Sequence, residues 1–146
     1  MTKINRPLEF DPTNIITLDV PRPGVTVGDL IEIVNYAFEE TTTGYWETEV
    51  VERKDASFGI DGFEHNWTYS FTIRDFQNTE EGELHEINVN TIKLGIERLL
   101  NGDVPVANRI LEDIRNNLAA GELAAVDNDA VDCIIQAGLF RELVYG

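Results

Sequence analysis

Residues 66–76 read NWTYSFTIRDF, and their alternation decides the fold class. Trp67, Tyr69, Phe71 and Ile73 fall on one face of an extended chain, with Thr68, Ser70, Thr72 and Arg74 on the other. The flanking sequence offers partner strands. Upstream, residues 45–53, YWETEVVER, oppose Trp46, Thr48 and Val50 to Tyr45, Glu47, Glu49 and Val51. Asp61-Gly62 marks a turn between the two segments. Downstream, Gln77 to Gly82 form an acidic turn, and residues 84–89, LHEINV, read as a third strand. This order predicts an antiparallel meander with one face on a core and one in water.

Further outward the period changes from two to 3.6. Thr26 is a suitable N-cap for a helix over about 27–40. Leu30, Ile31, Ile33, Val34, Ala37 and Phe38 line one side of it, and Asp29, Glu32, Tyr36, Glu39 and Glu40 the other. After the strands, Asn90 or Thr91 can cap a helix to about Leu100, buried through Ile92, Ile96, Leu99 and Leu100 and stopped by Asn101-Gly102. Pro105 suits the first turn of the next helix. Its stripe is Ala107, Ile110, Leu111, Ile114 and Leu118, closed by Gly121. Asp127 or Asn128 caps a last helix with Val131, Ile134 and Ile135 inside, ended by Gly138. Residues 1–25, broken by Pro12, Pro21 and Pro23, read as an extended arm with one short strand at Ile15 to Leu18. The expectation is one α+β domain over 1–146: the arm, an acidic helix plus three-stranded antiparallel sheet over 26–90, and three helices over 91–146 packed on the sheet. A chain of 146 residues buries enough surface to need no staples.

Charge is the other dominant feature. The chain has 27 acids, 11 bases and a net charge of -16. Residues 29–86 hold 15 of the acids and only three bases, Arg53, Lys54 and Arg74. The helices after residue 90 carry nine acids and five bases. A duplex binder neutralises phosphates with Lys and Arg, so direct nucleic-acid binding is not expected. Nor is a membrane: no window approaches ~18 apolar residues, and anionic lipid repels such a surface. The start of the chain has no apolar signal region. The single cysteine, Cys133, permits no internal disulfide and fits a reducing cytosol.

No catalytic motif stands out. Neither phosphate-binding glycine loop occurs, nor G-x-S-x-G. His65 and His85 are the only histidines. His85 shares a strand face with Glu83 and reads as a surface histidine among acids, short of a metal site. Cys133 lies on an apolar helix face among Asp127, Asp129 and Asp132, and acids raise a thiol pKa. Residues 126–132, VDNDAVD, fail as a calcium loop, since Asp132 and Gly138 stand where glycine and glutamate are needed. A non-enzymatic protein with no cofactor and no metal is therefore expected.

Two segments, HEINVNTIKLGIERLLNG (85–102) and VDNDAVDCIIQAGLFRELVYG (126–146), resemble small acidic proteins of bacteriophages and prophages of actinobacterial type. That group is similar in a strand leading into D-T-I-x-x-G-I-x-R-I and in a C-terminal D-x-D-x-A-D-x-I-x-Q-x-G-L-F-x-E-x-V-Y-G. Asn90 replaces the usual capping Asp, and Cys133 and Arg141 replace small residues. The matching positions, Thr91, Ile92, Gly95, Ile96, Gln136, Gly138, Leu139 and Phe140, look structural, and the resemblance carries no catalytic assignment. It implies a phage protein made in the cytoplasm of a bacterial host.

Small acidic phage proteins often resemble inhibitors of host defence, of anti-restriction or anti-CRISPR type. The corresponding expectation is a DNA mimic: Asp29, Glu32, Glu39, Glu40, Glu47 and Glu49 form a face that occupies a basic nucleic-acid site on a host protein. Glu47 and Glu49 would stand ~6.6–6.8 Å apart on one strand face, of the order of neighbouring phosphates. Glu80, Glu81, Glu83 and Glu86 would add a further row. Two alternatives stay open. The acids are also explained as solvated faces that serve solubility or salt adaptation. The chain also fits a phage structural or assembly component, or a homo-oligomeric accessory protein.

Overall fold

The strand expected at 66–76 is the latter part of a longer one. In the computed structural model, β4 (Phe63–Asp75) lies between β3 (Thr48–Ile60) and β5 (Glu83–Asn88), antiparallel to both. The structure describes residues 15–16, 25–42, 48–60, 63–76, 80–140 and 142–143, with side chains except at 40–42, 56–60 and 63–67. Ile60 pairs with Phe63, and the turn residues expected between them, Asp61-Gly62, lie outside the described residues. The strands reach further toward this turn than alternation alone suggests. Lys54 to Gly59 carry no strong strand preference, and pairing across the hairpin holds them extended.

Register departs from strict alternation at two places. Val51 has no partner between the pairs Val50–Ile73 and Glu52–Thr72, and a second irregularity falls between Lys54 and Asp55. Each extra residue flips the sides of those that follow. Glu52 therefore joins Glu49 on the face of Arg74 and Thr72, instead of lying across the strand from it. The expected alternation of 45–53 holds only up to Val51, and residues 45–47 lie outside the described residues.

Phe71 and Ile73 point to the core, as expected, and α1 (Val27–Thr42) covers them. The Phe38 ring meets Phe71 edge-on, with centroids 5.3 Å apart. Leu30, Ile31, Ile33, Val34 and Ala37 are fully buried. Burying an Ile, Leu or Phe side chain contributes about 1.5–3 kcal/mol, so this face fixes the helix on the sheet. Tyr36, expected on the polar side, packs partly against the same core. The polar face of β4 differs too. Thr68 and Ser70 are buried, their hydroxyls donating to Asp55 Oδ1 at 3.1 Å and Glu86 Oε2 at 2.7 Å.

A second small sheet pairs β1 (Ile15–Ile16) with β2 (Val25–Thr26), so part of the expected arm is anchored at the start of α1. Thr17 and Leu18 lie outside the described residues. The helix α2 (Val89–Leu100) starts earlier than expected. Its cap is Asn88, whose Oδ1 accepts from the Asn90 and Thr91 amides, and Thr91 Oγ1 accepts from the Asn88 amide in return. Asn101 and Gly102, the latter at φ +80°, end it as predicted. The helix α3 (Asn108–Ala120) begins after the N-cap Ala107, so Pro105 stands in the connection and Ala107 is exposed, outside the apolar stripe. Gly121 at φ +71° closes it. A 3-10 turn at Leu123–Ala125 precedes α4 (Asn128–Phe140), whose Ala130 amide donates to the cap Asp127 Oδ1 at 3.1 Å.

Gly138 does not end α4. It faces the Thr91 carbonyl, while Gly95 of α2 faces the Ile134 carbonyl. Each glycine thus sits over the carbonyl one turn before the other glycine, and a Cβ at either would strike backbone. Arg98 Nη1 completes the joint by donating to the Ala137 carbonyl at 2.8 Å and the Gly138 carbonyl at 3.2 Å. The fold is α+β, with four α-helices and two antiparallel sheets among the described residues. The expected packing is revised: α1 covers the middle strand, while α2 and α4 pack chiefly on each other and reach the sheet at β5. Among the described residues, no helix is long and apolar enough to cross a membrane.

Candidate functional site

The acids singled out by sequence fall into two groups that the fold keeps apart. On α1, Asp29 is committed to the helix start: its amide donates to Thr26 Oγ1 at 3.1 Å, and its Oδ2 accepts from the Thr26 amide at 3.4 Å. This is a reciprocal capping arrangement. Glu32 is half-buried, and burial raises its pKa above the usual carboxylate value, helped by the negative charge of Asp29. Glu39 is exposed near the end of the helix. The side chain of Glu40 and all of Glu47 lie outside the described residues.

Glu49 belongs to the other group. It is exposed on β3 and paired across the sheet with Arg74, its Oε1 3.4 Å from Arg74 Nε. Arg74 lies on the opposite face of β4 from Phe71 and Ile73, so Glu49 is on the far side of the sheet from α1. The helix acids and the strand acid therefore do not form one row. The sheet face instead brings in residues the sequence ranked lower. Glu52 comes onto it through the bulge at Val51. Arg74 Nη1 donates to the Glu81 carbonyl at 3.1 Å, fastening the turn that carries the exposed Glu80 and Glu81. Gly82, at φ +82°, lies against the stem of Arg74, where no side chain has room. Glu86 completes the face on β5.

The few bases of this region are already engaged. Arg53 Nε lies 2.8 Å from Asp55 Oδ1, and its guanidinium covers the Phe38 ring at 4.6 Å. Arg74 is held as described. Lys54 has the loosest attachment, 4.0 Å from Glu52 Oε1. Glu49, Glu52, Glu80, Glu81 and Glu86 thus present a negative field with little local neutralisation. The bulge that assembles this face left no mark on the alternation pattern. The acidic turn was legible as composition, but its Arg74 anchor was not.

His85 is not the surface histidine the sequence suggested. It points inward from β5, with Nε2 3.8 Å from Asp75 Oδ2 and its ring edge-on to Phe140 at 5.1 Å. Nε2 is buried without a hydrogen-bond partner, as is Oγ1 of Thr48, the cross-strand neighbour of Asp75. Glu83 shares the face of His85, as expected, but is exposed. His65 is in β4, and its side chain lies outside the described residues. Cys133 is half-buried, and burial pushes its thiol up to about 11, with Asp132 and Asp129 adding to the rise. Such a thiol is poorly ionised at neutral pH and a weak nucleophile. Among the described residues, no group of three or more His, Cys, Asp or Glu side chains is placed to hold a metal ion.

Comparison with protein-family models, with curated proteins and with solved structures gave no match to the chain.

Proposed function

We propose that this chain is a non-enzymatic, phage-encoded binding protein that occupies a basic nucleic-acid-binding site on a host protein. The observation that carries the reading is the solvent face of the three-stranded sheet, where Glu49, Glu52, Glu80, Glu81 and Glu86 surround cations that are themselves paired. A rigid array of carboxylates with few free cations is drawn to a basic cleft over long range and docks with little reorganisation. The face differs from the one the sequence alone suggests. It draws on Glu49 and the acidic turn, and leaves Asp29 to cap α1. The resemblance of residues 85–102 and 126–146 to phage and prophage proteins supports the setting, a host-defence inhibitor of anti-restriction or anti-CRISPR type acting in the bacterial cytoplasm.

The experiment is competitive elution. Proteins of a bacterial host are retained on immobilised duplex DNA at low salt, and the purified chain is passed over them. Wild type releases a discrete nucleic-acid-binding protein and forms a complex with it that dissociates as salt rises. Reversing Glu49, Glu52, Glu80 and Glu81 to Lys abolishes release. Reversing Asp103, Glu112, Glu122 and Glu142, which changes net charge equally on the helical part, leaves release intact. Equal release by both variants, or none by wild type, sinks the reading. The alternative, a structural or assembly component, predicts self-association, which light scattering at high concentration reads directly.

A further inference from the structure

Beside the acidic face lies a cavity of about 210 Å3, lined by Lys54, Tyr69, Ser70, Glu86, Asn88 and the first turn of α2. Its position follows from the register. Lys54, Ser70 and Asn88 are direct cross-strand neighbours, so they form one row across all three strands. The register steps from Lys54–Ser70 to Asp55–Thr68 and so skips Tyr69, and β5 turns into α2 at Val89. A hollow results where the β3–β4 register is interrupted on one side of β4 and β5 pairing ends on the other.

The lining is chemically two-ended. Lys54 is the base of the acidic region with the loosest ion pair. Asn88 spends its Oδ1 on the Asn90 and Thr91 amides, which leaves its Nδ2 as a donor at the positive end of α2. Two residues along the same face of β5, roughly 6.8 Å away, Glu86 accepts from Ser70 through Oε2 and keeps its other oxygen for a second donor. Tyr69 shares the lining, and burial raises the pKa of its phenol, with Lys54 lowering it and Glu86 and Asp55 raising it. A simple anion would meet Glu86, and a simple cation would meet Lys54. A molecule carrying both charges a few ångströms apart satisfies the two ends together. The volume lies below the ~300 Å3 at which drug-sized pockets begin, which suits a small ligand.

We propose that this cavity binds a free α-amino acid, with its carboxylate toward Lys54 and Asn88 and its ammonium toward Glu86. The site shares Glu86 with the proposed docking face but none of the four acids reversed in its test, so either reading can fail without the other.

The test is amide NMR of the full chain titrated with alanine, with propionate and ethylammonium as probes that each carry one charge. Alanine shifts the amides of Ser70, Asn88 and Asn90 in a saturable way, and each single-charge probe binds at least tenfold more weakly. Lys54→Met keeps the stem and loses the charge; Glu86→Gln keeps an acceptor for Ser70. Each weakens alanine at least tenfold while its thermal midpoint stays that of wild type. No saturable shift with alanine overturns the proposal, as do propionate or ethylammonium binding as well as alanine, or undiminished binding in both variants. If a variant is destabilised, the wild-type comparison of the three probes decides alone.

Discussion

The carboxamide of Asn35 pairs with both backbone polar groups of Thr68: the Thr68 amide donates to Oδ1 at 3.0 Å, and Nδ2 donates to the Thr68 carbonyl at 2.8 Å. The last β4–β5 pair is Ser70–Asn88, so Thr68 lies just past the end of β5, where the chain has turned into α2. Asn35 does there what another strand residue would do. Nδ2 also donates to the Ile31 carbonyl at 2.9 Å, which fixes the rotamer.

Asn35→Ala leaves a donor and an acceptor of a buried residue without partners. Each unsatisfied group costs about 1–3 kcal/mol. The expected loss is about 2–4 kcal/mol in urea unfolding. Asn35→Asp keeps the acceptor and loses the donor, and falls between. A loss below about 0.5 kcal/mol for the alanine variant contradicts the strand-like role.

At Gly95 and Gly138 two effects oppose each other. In an exposed helix interior, glycine to alanine stabilises by about 0.8–1 kcal/mol. Here the new methyl meets the Ile134 or the Thr91 backbone, and overpacking costs about 1–3 kcal/mol. Each Gly→Ala variant should therefore be less stable than wild type by thermal or urea unfolding. The double variant should fall short of the sum, because one displacement relieves both contacts.

Glu32→Gln tests the half-buried carboxylate. An acid with a raised folded pKa binds protons more readily folded than unfolded, so its charge opposes folding. That cost is full above the folded pKa and fades as pH falls through it. The Gln variant should melt higher than wild type at pH 7, and the difference should vanish near pH 4. Glu32 keeps access to water, so the gain stays within about 0.5 kcal/mol. A gain that persists at pH 4 assigns it to packing.

Cys133 should react slowly. A thiol raised from 9.0 to about 11 has on the order of a hundredfold less thiolate at pH 8. Alkylation of the folded chain should be slower than that of the urea-unfolded chain by about that factor. Equal rates would show that the thiol is not shielded.

What the sequence made legible follows from how local each signal is. The stripe of α1, the Thr26 cap and the helix stops at Gly102 and Gly121 are all written within a few residues. The Asn35–Thr68 pairing, the Gly95–Gly138 crossing and the Arg74 anchor join residues 33 or more, about 40 and seven apart, and each partner alone looks ordinary. Gly138 shows the hazard: after an apolar run it resembles a helix stop, and only the second helix reveals a crossing point. At the acidic face, residue types were readable, but their side of the sheet was not. One unpaired residue at Val51 was enough to move Glu52.

That bulge has a further effect on the outer rim of the sheet. Among the described residues β3 pairs only with β4, so its other margin is an edge of the kind that invites pairing with other chains. A regular, apolar margin would be a template for stacking. Here the pleat of β3 is broken at Val51, and Glu49, Glu52 and Arg53 place charge beside the break. An incoming strand would lose register at the bulge and have to pack among charged side chains. The irregularity that gathers the carboxylates therefore also guards the folded chain against fibrous aggregation.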